Sequence, residues 1–137
     1  MRIFLDANIL FSAAKSAGAV HDLLESLASR KHVLCADQFV IAEARRNLTA
    51  KASAESLRVL DGLLARTEVA AAGIGGVDSH LLAWLPEKDR PVLAAAMRMN
   101  CEALVTGDVT HFGSGFGKSF GGVVIFSPRL LAQSVLT

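Results

Sequence analysis

The chain has 137 residues, enough for one domain that buries about two-thirds of its unfolded surface. Its composition is 52% hydrophobic and 20% charged, which excludes an intrinsically disordered chain. A net charge of +1 excludes a broadly basic or acidic surface, so any affinity for nucleic acid must come from a local patch.

In chain order, RIFL (2–5) reads as a short buried strand that stops at Asp6. The N-terminal run MRIFLDANILFSAA has the hydropathy of a signal peptide, but Asp6 and Asn8 interrupt it. A short helix is expected near Asn8. Residues 17–31 form an amphipathic pattern with Val20, Leu23, Leu24 and Leu27 on one face, hence a helix. HVLCA (32–36) reads as a second strand, and Asp37 is a good N-cap for a helix over 38–51. Ser53 opens a further helix over 53–67, followed by a short third strand at 68–72 and a loop at 73–76. A short helix is expected at 78–85 and a longer one at 90–100, with Pro91 in its first turn. EALVTG (102–107) reads as a fourth strand and VVIF (123–126) as a fifth, separated by a mobile glycine-rich loop at 113–122. Ser127 and Pro128 start a terminal helix.

Strands that are continuous apolar runs and alternate with helices imply an α/β fold, a five-stranded parallel sheet covered on both faces. No repeat or linker divides the chain, so 1–137 reads as one domain. No stretch approaches the ~20 apolar residues of a membrane span. Cys35 and Cys101 sit in apolar surroundings and read as reduced core cysteines of a cytoplasmic protein.

In right-handed β-α-β units, the residues after each strand and the first turns of the helices share the C-terminal edge of the sheet. Asp6 follows the first strand, Asp108 the fourth, Glu43 lies early in the helix after the second, and Asp89 caps the helix that leads into the fourth. Connectivity therefore brings four acids to one edge. Four carboxylates in one crevice need counter-charge, and oxygen-only ligands suit Mg²⁺ or Mn²⁺. No His or Cys has zinc-like spacing. Metal-assisted hydrolysis of a phosphodiester is the chemistry such a site supports best.

The segments FLDANIL, FVIAEARRNL, KDRPVLAAAM and LVTGDVTHF, in this order and spacing, resemble the PIN-domain ribonuclease family over essentially the whole chain. The resemblance implies a PIN-like fold and an RNA-cleaving, Mg²⁺- or Mn²⁺-dependent endonuclease, often the toxin of a bacterial toxin–antitoxin pair. It places Asp6, Glu43, Asp89 and Asp108 at the family's acidic positions and Asn8 at the polar position after the first Asp. Some members carry a further acid after the last of these, where this chain has VTHF; His111 stands there as a substrate-contacting or supporting group. An antitoxin protein is the partner implied.

Arg45, Arg46, Lys51, Lys88, Arg90 and Lys118 are candidates for contacts to the RNA backbone. The glycine-rich loop contains Gly-Lys-Ser, but a P-loop needs glycine where this chain has Phe112. Seven Phe and one Trp are too few for a broad base-stacking platform. Leu57, Leu60, Leu63 and Leu64 form an apolar helix face that a small core would leave uncovered, which favours a homodimer. Two rival readings are a catalytically silent RNA- or protein-binding domain and a phosphotransferase with Asp6 as nucleophile. Retention of all four acids disfavours the first. Asn8 disfavours the second, where a second Asp is wanted.

Overall fold

The computed structural model describes residues 1–73 and 75–136. Its strands are β1 (Arg2–Leu5), β2 (Val33–Asp37), β3 (Glu68–Ala70), β4 (Ala103–Val105), β5 (Ser119–Phe120) and β6 (Val123–Phe126), in one sheet ordered β3-β2-β1-β4-β6-β5. All neighbours pair in parallel except β5, which runs antiparallel to β6. Five parallel strands match the expected sheet; β5 is an addition on the edge. Within the predicted 73–76 loop, Ile74 lies outside the described residues.

The helices are α1 (Ala7–Lys15), α2 (Ala19–Ser29), α3 (Gln38–Lys51), α4 (Ala54–Leu64), α5 (Arg90–Arg98), α6 (Val109–Phe112) and α7 (Pro128–Val135). The predicted caps act as expected: Asp37 accepts from Val40 N, Ser53 from Ser56 N and Ser127 from Leu130 N. β2 runs into α3 with no intervening residue, so the first turns of α3 sit on the C-terminal edge of the sheet.

From β1 the chain steps to β2 and then β3 on one side, and helices α1 to α4 on these connections pack on one another. It then crosses back to lay β4 on the other side of β1. Reversing direction with right-handed connections puts the crossover helix on the opposite face, and α5 packs there against β2, β4 and β6. The strand order therefore reverses between β1 and β4, and this is where an open parallel sheet has its crevice.

Three segments differ from expectation. Residues 78–85 form only a 3-10 turn at Ser79–Leu81, because Pro86 closes the segment before a second turn can repay nucleation. The glycine-rich segment 113–122 is not a mobile loop but a pinned edge. Trp84 stacks on Phe120 at 4.6 Å and meets Phe112 edge-on, Gly117 N donates to Ile125 O, and a Cβ on Gly115 would come within 2.5 Å of Trp84. The leucine face of α4 is covered within the chain: Leu60 and Leu63 are buried, and Leu57 and Leu64 pack against the core. That face leaves no surplus to argue for a homodimer.

Candidate active site

Asp6 and Asp108 flank the β1–β4 crevice because their strands pair Leu5 with Val105. Asp6 is almost fully buried. Its Oδ1 accepts from Ala7 N at 2.7 Å, and its Oδ2 accepts from Thr106 Oγ1 at 2.8 Å and Asn8 Nδ2 at 3.3 Å. Burial pushes the Asp6 carboxyl up to about 6, the Thr106 and Ala7 hydrogen bonds oppose this, and the charges of Glu43 and Asp89 add to it.

Asn8 and Thr106 tie the two sides together. Asn8 Oδ1 accepts from Gly107 N at 2.7 Å, and Thr106 Oγ1 accepts from Asp108 N at 3.1 Å. A Cβ at Gly107 would stand 3.3 Å from Asn8 Oδ1, so glycine permits this approach. Thr106 has no charge and no periodicity to mark it in the sequence; its only signal is its place between an apolar run and Gly-Asp.

Asp108 caps the single turn of α6. Its Oδ1 accepts from His111 N at 3.0 Å, and its Oδ2 lies 2.8 Å from His111 Nδ1. The same ring nitrogen stands 3.1 Å from Asp89 Oδ2, without the alignment of a hydrogen bond. Asp89 differs from expectation. It occupies the N-cap position of α5 but makes no capping hydrogen bond, since its backbone is helical (φ −98°, ψ −14°) as the last residue of a 3-10 turn. Its carboxylate instead lines the cleft, where Oδ2 is a buried oxygen with no hydrogen-bond partner. Burial raises the Asp89 pKa, His111 lowers it, and Asp108 raises it.

Asp6, Asn8, Glu43, Lys88, Asp89 and Asp108 line one cleft of about 430 Å³, with Phe39, Pro91 and Val92 as its apolar wall. The four acids predicted from connectivity thus share one cavity. Two of them, Asp89 and Asp108, form with His111 a ligand set whose donor atoms lie within 4.8 Å of one another. Asp6 was expected to join Asp89 and Asp108 in that set. It lines the same cleft beside that set, its carboxylate held by Thr106, Ala7 and Asn8.

The family model for the PIN domain matches residues 2–110. The chain belongs to the PIN-domain family. The match spans all four cleft acids and stops one residue short of His111. In solved structures this PIN domain is similar to VapBC2 from Rickettsia felis bound to a DNA fragment from their promoter. The TM-score is 0.65 at 17% identity, over 93% of this chain and 98% of that one, a likeness of fold. No curated protein matches the sequence.

The donor set of the PIN domain fits a hard divalent cation: carboxylate oxygens converge, one of them buried without a donor, and burial raises the Asp6 and Asp89 pKa values. Glu43 lines the cleft with no hydrogen bond or ion pair among the described residues.

The cations divide. Lys88 lines the cleft, and Lys51 lines a neighbouring depression of about 240 Å³ that shares Asn8 and Glu43 with it. Arg45 is paired with Asp61 at 2.7 Å, and Arg90 donates to the carbonyls of Leu85 and Ala83, so both serve the fold. Arg46 and Lys118 are exposed and do not line the cleft. No helix among the described residues is long and apolar enough to cross a membrane.

Proposed function

We propose that this PIN domain is an endoribonuclease that hydrolyses RNA phosphodiester bonds with Mg²⁺ or Mn²⁺, acting as the toxin of a toxin–antitoxin pair. The observation that carries the reading is the shared cleft of Asp6, Glu43, Asp89 and Asp108, in which four carboxylates face one lysine, Lys88, among the described lining residues. Membership of a family generally made up of nucleases supports it.

Asp6, Asp89 and Asp108 are the residues that would hold the cation, which when bound supplies Lewis acidity toward the phosphoryl oxygens and toward water. Asn8 and Thr106 fix the orientation of the Asp6 carboxylate, so its geometry is set before substrate arrives. Glu43, with no hydrogen bond or ion pair among the described residues, orients the attacking water and accepts its proton. His111 fixes the Asp108 carboxylate through Nδ1. Lys88 attracts the RNA backbone at the rim.

The antitoxin expected from the family resemblance would block this cleft by placing a basic side chain among the carboxylates. The fold shared with VapBC2 supports that assembly. The deciding experiment is incubation of purified protein with single-stranded RNA. Cleavage with Mg²⁺ or Mn²⁺ that stops in chelator is expected; cleavage that persists in excess chelator would overturn the metal reading, and none under any condition the nuclease reading.

A further inference from the structure

Beside the acid cleft lies a second depression of about 320 Å³, lined by Asp37, Phe39, Ala72, Gly73 and Pro91. Phe39 and Pro91 line both cavities, so the two adjoin at these side chains. Phe39 is 38% exposed, more than any other described phenylalanine. It is held at the sheet edge because β2 passes directly into α3, which puts Phe39 in the first helical turn. An exposed phenyl ring beside the acid cleft offers a flat apolar face for stacking.

The depression also holds a polar group. Asp37 is 2% exposed, and its Oδ1 accepts from Val40 N at 3.2 Å. A carboxylate accepts about four hydrogen bonds and donates none when ionised, so Asp37 keeps acceptor capacity beyond its capping bond. The opposite wall is fixed: Arg98 Nη2 donates to Gly73 O at 2.9 Å and Nη1 to Gly75 O at 3.3 Å.

Resting on the ribonuclease reading, we propose that this depression is a nucleobase subsite. The base adjacent to the scissile phosphate stacks on Phe39 and presents N–H donors to Asp37. An acceptor-only group reads bases by their donors, and guanine alone carries two adjacent N–H donors on its Watson–Crick edge, so the subsite favours guanine. A single ring gives preference at a single position, consistent with a chain too poor in aromatics for an extended stacking platform.

The test uses Phe39→Trp in chelator, where no cleavage is required, against wild type as control for the native Trp84. Dinucleoside monophosphates carrying each of the four bases are titrated, and the midpoint of the fluorescence change is read rather than its amplitude. A midpoint roughly tenfold lower for the guanine-bearing ligand is expected. Adding Asp37→Asn, which keeps a capping side chain, should level the four midpoints. No fluorescence change with any ligand overturns the subsite, and equal midpoints before Asp37 is changed overturn its reading of the base. On RNA that the protein cleaves, Phe39→Ala should raise KM roughly tenfold with little change in kcat, and Phe39→Tyr should restore it. Equal kinetics for Phe39→Ala and wild type overturn the stacking role. If RNA is not cleaved at all, the titration still decides the subsite.

Discussion

β1 begins at one charge, Arg2, and runs into another, Asp6, and the two ends of the sheet treat charge in opposite ways. At the N-terminal end, the Arg2 guanidinium pairs with Glu68 and donates to Met99 O at 2.8 and 3.1 Å, while Arg2 N donates to Glu102. The pair holds the Glu68 carboxyl below its usual range and raises the Arg2 pKa. At the C-terminal end, four carboxylates share a cleft, and burial drives the Asp6 and Asp89 pKa values upward. Charge at the first end is balanced within the chain and serves the fold. Charge at the second is left for something outside the chain to balance, and that imbalance marks a site.

The contrast can be broken first through activity. Asp6→Asn and Asp108→Asn should each lower metal-dependent RNA cleavage by more than about 100-fold, as expected for loss of a cation-holding carboxylate. Arg2→Met, at the opposite end of the strand that leads into Asp6, should leave the rate unchanged. Initial rates on one RNA substrate check both.

A second, smaller effect is the pH dependence of stability in chelator. The Asp6 carboxyl is held at about 6 against an ordinary 3.8, so the folded protein binds this proton more tightly than the unfolded chain does. Stability therefore falls as pH rises through the window between those values, by about 2 to 3 kcal/mol, and is highest below it. Denaturant melts across that window should show this slope, and Asp6→Asn should flatten it.

Asp108→Asn sharpens the comparison further. In chelator the variant should be as stable as wild type or more so by ~1 kcal/mol, because it removes a like charge and keeps a capping side chain. Saturating Mn²⁺ should reverse the order, since wild type gains more from binding. Equal shifts in Tm would reduce Asp108 to the cap of α6. The smallest effect belongs to the balanced end: Arg2→Met should cost about 1 kcal/mol or less, and the cost should be the same with and without Mn²⁺. Parallel thermal melts check that insensitivity.

Much of this contrast was legible in the sequence. Asp6 and Asp108 interrupt apolar runs, and the right-handed connection rule carries Glu43 and Asp89 to the same edge without any knowledge of side-chain contacts. What escaped depends on partners distant in sequence. Arg45 and Arg90 read as free cations until Asp61 and the Leu85 carbonyl are seen beside them. Asp89 reads as a cap because Asp before Arg-Pro usually is one, whereas its backbone torsions turn the carboxylate to other use. β5 was hidden in a glycine-rich segment whose Gly115 and Phe120 pack on Trp84, some thirty residues upstream. Thr106 carries no signal beyond its neighbours.

The hydrogen bond from Thr106 to Asp6 joins residues 100 positions apart. Closing so long a loop is slow and is repaid only when the strands pair. A chain still being synthesised has β1, β2 and Glu43 in hand long before β4 exists, yet holds neither Asp108 nor the Thr106 hydroxyl that donates to Asp6. On the ribonuclease reading, the order of the sequence keeps a growing chain inert on the ribosome, because the cleft is complete only when β4 slots beside β1.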